Sequence, residues 1–162
     1  MGAYTPSYKP GLTMGWSALR LCAVAALAWL AAPAAQAASV QAMFERYGLI
    51  GTWAFDCSQP ASQQNPYIFY RVIDTDHVAR DTMNSPTNRV NASIADFLIE
   101  SNPNEVVIVV KTERGSTNLT VRLERKRMRT FQSTRDTGEK VIVNGRFNGR
   151  DTETLWYSKC GS

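Results

Sequence analysis

From Ile50 onward, short runs of β-branched and aromatic residues recur about every ten residues, separated by turn-forming residues. Gly51 to Cys57 alternates, with Trp53, Phe55 and Cys57 on one face and Thr52, Ala54 and Asp56 on the other. Further runs cover Tyr67 to Asp74, His77 to Met83, Ile94 to Glu100 and Glu105 to Glu113. They continue through Asn118 to Glu124, Arg127 to Ser133, Lys140 to Val143 and Thr152 to Tyr157. Between them lie turn-rich stretches such as Ser58 to Pro66, Asn84 to Asn91 and Ser101-Asn102-Pro103-Asn104. Eight or nine short strands in this rhythm predict an all-β fold, an antiparallel barrel or a β-sandwich. Ahead of them, Val40, Met43, Phe44 and Tyr47 fall at helical spacing. With Ser39 as N-cap and Gly48 as terminator, they predict one short N-terminal helix.

The first 37 residues read as an address. Lys9 and Arg20 precede an apolar run from Leu21 to Ala32, and Ala35-Gln36-Ala37 fits the A-x-A pattern of signal peptidase. The run is shorter than the ~20 residues a spanning helix needs. Residues 1–37 are therefore expected to be a cleaved secretory signal, and 38–162 a single β domain in the periplasm or outside the cell. The whole chain has 18 basic and 14 acidic residues, and the leader removes Lys9 and Arg20, which leaves a net charge of about +2. So small a charge does not support an electrostatic nucleic-acid binder.

Three cysteines are present, and Cys22 leaves with the leader. Cys57 and Cys160 remain as an even pair in an oxidising compartment, where a structural disulfide is expected. Closing a loop of about 100 residues is worth up to roughly 4–5 kcal/mol in the chain-entropy picture.

The string Gly51-Thr52-Trp53, opening the first strand behind a short helix, resembles the G-x-W motif of lipocalins and related calycin barrels. That resemblance implies an eight-stranded up-and-down barrel with Trp53 plugging its closed end. It also implies a basic residue near the last strand, Arg150 or Lys159, stacked on the tryptophan. The family's later T-D-x-x-Y motif has no match here. The longer pattern Gly51-Thr52-Trp53 to Asp56-Cys57-Ser58, with Asn65-Pro66 and a terminal Cys160, is similar to a group of uncharacterised secreted alphaproteobacterial proteins. It implies a bacterial periplasm and no particular activity.

Catalytic chemistry finds little support. The single histidine, His77, adjoins Asp76, but adjacent strand residues point to opposite faces. No serine stands in a G-x-S-x-G setting, and no metal-ligand spacing or cofactor motif is present. The chain is expected not to be an enzyme. Two binding features stand out instead. Tyr67, Phe69, Tyr70, Phe97, Phe131 and Trp156 are candidates for lining a barrel interior and holding a small apolar or amphipathic ligand. Arg122, Arg125, Lys126, Arg127 and Arg129 fall within eight residues and are candidates for a positive stripe. Such a stripe suits an anionic envelope surface or a periplasmic protein. The primary expectation is a non-enzymatic ligand-binding module. The alternative is an interaction or inhibitor domain working through loops and the stripe.

Overall fold

The computed structural model describes residues 38–161; the expected leader lies outside them. The chain enters through helix α1 (Val40–Arg46). The Ser39 hydroxyl accepts from the Ala42 amide, 3.2 Å away, and Gly48 ends the helix at φ 63°. That left-handed turn is open to glycine without the Cβ penalty. Phe44 is the helix's fully buried residue and meets Tyr70 with ring centroids 5.4 Å apart.

Ten strands follow: β1 (Gly51–Ala54), β2 (Tyr67–Val72), β3 (Val78–Met83), β4 (Arg89–Asn102), β5 (Glu105–Thr112), β6 (Gly115–Glu124), β7 (Arg127–Arg135), β8 (Lys140–Val143), β9 (Arg146–Phe147) and β10 (Tyr157–Cys160). Each pairs antiparallel with its neighbour in sequence up to β9, and β10 pairs with both β1 and β7. Strands β1 to β7 with β10 thus close an eight-stranded barrel, and β8–β9 form a flap beyond β7. Closure leaves no free barrel edge. The barrel alternative, rather than the sandwich, is the one realised.

The register fixes which side chains point inward. Trp53 opposes Ile68, Gly51 opposes Tyr70, and Tyr70 opposes Arg80. Ala95 opposes Val110, Leu98 opposes Ile108, and Val106 opposes Val121. Leu123 opposes Met128, which opposes Tyr157. Most of these belong to one buried apolar cluster that includes Phe44 and Leu49. Each such side chain, fully buried, contributes roughly 1.5–3 kcal/mol.

Two strands in particular differ from the sequence expectation. Strand β4 runs fourteen residues from Arg89, through a stretch whose asparagines and serines read as a turn. Its ladder shifts at Asp96 and Ser101, where bulges let so long a strand curve around the barrel. The last strand starts at Tyr157 instead of ending there. Before it, the Thr154 hydroxyl donates to the carbonyls of Thr130 and Gly145, at 2.8 and 3.2 Å, and holds the chain off the ladder.

Cys57 and Cys160 lie at bonding distance (S–S 1.94 Å) across 103 residues of chain. Cys160 is opposite Thr52 on the outer face of the β10–β1 pair, so the bond fastens the β1–β2 loop to the last strand. Asn65 organises that loop: its side chain accepts from the Asp56 amide and donates to the carbonyls of Asp56, Gln59 and Pro60.

Candidate functional site

An up-and-down barrel has two unlike ends. The β2–β3, β4–β5 and β6–β7 turns gather at the end covered by α1, and the β1–β2, β3–β4 and β5–β6 loops at the other. Inward side chains near the helix end are apolar. Toward the other end they become polar: Thr82 faces Asn91 across β3–β4, Ser93 faces Arg80, and Ser133 faces Leu119.

Arg80 stands where the two halves meet. It follows Val78 by two residues on β3, and the period of two points it into the barrel. Its Nε donates to the Tyr70 hydroxyl and its Nη1 to the Thr82 hydroxyl, both at 3.3 Å. Its guanidinium carbon lies 6.0 Å from the Tyr70 ring centroid. Tyr157 on β10 completes the group. Burial pushes its phenol above the usual tyrosine range, and the neighbouring Arg80 charge opposes that rise.

Among the described residues no carboxylate pairs with Arg80, although eight other arginine and lysine side chains form such pairs. A cation turned into a barrel and held only by neutral hydroxyls is poorly compensated for lost hydration. The arrangement can accept an anion. Arg80 offers further guanidinium N–H groups, and two phenols stand beside it.

The six aromatics expected to line the interior do not act together. Tyr70 points inward. Tyr67 and Phe69 alternate onto the outer face opposite Ala54 and Thr52, and their rings meet there at 6.0 Å. Phe131 sits at a bulge in β7 that shifts the ladder between Thr120 and Val121, and Arg122 stacks on its ring at 3.5 Å. Trp156 precedes β10 and lies under Arg129 and Arg127, at 4.8 and 5.1 Å. Phe97 lies on β4 opposite Val109; its side chain is outside the described set. Tyr67, Phe69, Phe131 and Trp156 are thus corrected from interior lining to outer-face packing.

The basic stripe divides as well. Arg122 is held by Glu105 at 2.6 Å and lies over Phe131. Arg129 is largely covered, between Trp156 and Glu153. These two brace the outer wall. Arg125 and Lys126 form the exposed β6–β7 turn, with Arg125 at φ 55°, and Arg127 makes a loose 3.6 Å pair with Glu124. These three remain near solvent.

Trp53 is 3% exposed, and its indole N–H donates to the Leu49 carbonyl at 2.8 Å. Of the two basic residues considered for it, Lys159 is the one overhead, with Nζ 5.8 Å from the ring centroid and donating to the Gly48 carbonyl at 2.8 Å. His77 has Asp74, not Asp76, as its partner: Nδ1 lies 2.8 Å from that carboxylate on an exposed hairpin.

The sequence reading missed Arg80. On β3 both alternating sets, Val78-Arg80-Thr82 and Ala79-Asp81-Met83, mix apolar with polar residues, so neither declares itself inward. No family model matches the chain, and neither a curated protein nor a solved structure shows significant similarity to it.

Proposed function

We propose that the protein is a non-enzymatic binding module, exported to the periplasm, that takes a small amphipathic anion into the barrel against Arg80. The observation that carries this reading is an inward arginine bonded to Tyr70 and Thr82 with no paired carboxylate among the described residues. The ligand's acid group fits the free face of the guanidinium. The rings of Tyr70 and Tyr157 supply apolar contact beside it, and the polar half of the lumen receives the rest. Those polar inward residues favour an amphipathic ligand over a wholly apolar one. Export is supported by the leader-like first 37 residues and by the pairing of Cys57 with Cys160, which suits an oxidising compartment.

Charge selectivity tests the proposal. Calorimetric titration compares octanoate with octylamine, which share a chain and differ in the sign of the head group. Octanoate binds and octylamine does not. Arg80→Met keeps side-chain bulk and removes the charge-assisted bonds, each worth roughly 1.5–3 kcal/mol, so octanoate weakens by about ten- to a hundredfold. Equal binding of the two probes, or unchanged octanoate binding by Arg80→Met, sinks the reading.

A further inference from the structure

The helix end holds a second concavity that the lumen reading does not use. A groove of about 820 Å³ opens between the segment after α1, the Pro103-Asn104 turn, the β6–β7 turn and the end of β10. Its walls carry Arg125, Lys126, Arg127 and Lys159, and no aspartate or glutamate lines it. Ile50 and Leu123 supply an apolar floor. Four cations around one concavity focus a positive potential that solvent screens less than on a flat surface. They are also available. Lys159 uses one ammonium donor on the Gly48 carbonyl and keeps two. Arg127 lies over Trp156 at 5.1 Å, and its one ion pair among the described residues, with Glu124, is about half exposed on both sides and so of little strength. Arg125 and Lys126 form no ion pair among the described residues. The C-terminal wall is fixed by the Cys57–Cys160 bond beside Lys159.

We infer that this groove is a binding site for a small organic phosphate, distinct from the Arg80 site and independent of it. Two arginines and two lysines converging on a pocket of ligand size match a group carrying two or more negative charges, and guanidinium forks bind phosphate oxygens in pairs. The apolar floor takes the organic part. A soluble phosphate ester suits the site better than a lipid head group in a bilayer. The neighbouring β2–β3 hairpin at the same end carries exposed Asp74 and Asp76, which an anionic membrane would repel.

The test uses pyrophosphate as probe and protein purified after expression of the full-length gene. Amide shifts in NMR should move at Gly48, Asn104, Arg125 to Lys126 and Lys159, and calorimetry should give an affinity that falls with added salt. The double variant Arg125→Asn/Lys126→Gln lies in an exposed turn, and asparagine tolerates the positive φ at 125. It should weaken pyrophosphate by about tenfold or more with an unchanged melting temperature, while Arg80→Met should bind pyrophosphate like the wild type. Equal affinity of the double variant and the wild type overturns the inference. So does loss of pyrophosphate binding in Arg80→Met, which would move the anion to the lumen. Binding to equimolar phosphatidylcholine–phosphatidylglycerol vesicles without binding of pyrophosphate overturns it in favour of a membrane surface.

Discussion

The two ends of this barrel are built from the same strands but from opposite materials. At the helix end the inward positions are Tyr70, Val78, Leu98, Val106, Val121 and Met128, all nearly inaccessible, with Phe44 and Leu49 driven in from outside the sheet. At the other end the same strands turn Thr82, Asn91, Ser93 and Ser133 inward, and among the described residues no helix covers them. An eight-stranded barrel is just wide enough to be filled by side chains. Here apolar filling and polar lining divide along the axis, and on the proposed function the polar half is the receptive one. One half stabilises the fold by apolar burial, and the other keeps polar groups, with Arg80 at the boundary as an inward cation that has no carboxylate partner among the described residues. Stability and recognition can then be changed separately.

The sharpest way to break that division is to attack the filled half. Trp53→Ala removes the largest inward side chain near α1 and its bond to the Leu49 carbonyl. A buried tryptophan cut to alanine costs about 3–5 kcal/mol. At the other end Thr117, two residues before the inward Leu119 on β6, lies on the same face, and Thr117→Ala should cost under about 1 kcal/mol. Chemical denaturation of both variants checks the contrast, and comparable losses would mean that the polar half is as structural as the apolar one.

The next effect comes from the covalent tie. Cys57→Ala/Cys160→Ala frees the β1–β2 loop from the end of β10 and lifts the constraint on the unfolded chain. For a separation of 103 residues the loss should be about 2–5 kcal/mol, read from the shift of the denaturation midpoint. The tie lies next to Lys159 in sequence and on the outer face, whereas Arg80 points inward. Pyrophosphate binding at the groove should therefore weaken more than octanoate binding in the lumen, and equal weakening would argue that the two ends are coupled.

Much of the filled half could be read in the sequence, and little of the receptive half. Val106 to Val110 declares a strand by composition alone, Ser39 and Gly48 frame the helix, and the cysteine pair follows from compartment and parity. Trp53 stands out as the aromatic of the Gly51-Thr52-Trp53 string, although the alternation expected as far as Cys57 stops at Ala54, which is buried, and leaves Phe55 exposed. The interior of the other half rests on register, and a slip of one residue exchanges faces. Phe131 shows the difficulty. An unbroken alternation would give it a fixed face, but the bulge beside it sets it outward under Arg122. Arg80 is hidden for a related reason: charged residues normally mark the solvent face, and Asp81 beside it competes for the same inference. Arg122 and Arg129 looked like surface charge because their aromatic partners, Phe131 and Trp156, are brought to them by a bulge and by a segment outside the ladder.

The smallest effect concerns Tyr157, whose phenol faces the boundary between the two halves. Burial raises its pKa in the folded state, while the unfolded chain ionises near the ordinary value of about 10. A group whose folded pKa is raised contributes stability that is complete below the unfolded pKa. That stability is lost as pH rises through the folded one, because the unfolded chain gives up its proton first. The fold should therefore weaken above pH ~10, and Tyr157→Phe should flatten that decline while leaving neutral-pH stability nearly unchanged. Following melting temperature against pH for both proteins separates Tyr157 from the other tyrosines. Arg80 gives the result a second use, since the cation favours the phenolate and works against burial. In Arg80→Met the phenol should ionise later still, detectable by absorbance near 295 nm. If the ionisation does not move, Arg80 and Tyr157 do not share one electrostatic environment, and the boundary between the filled and receptive halves is not where the paired strands place it.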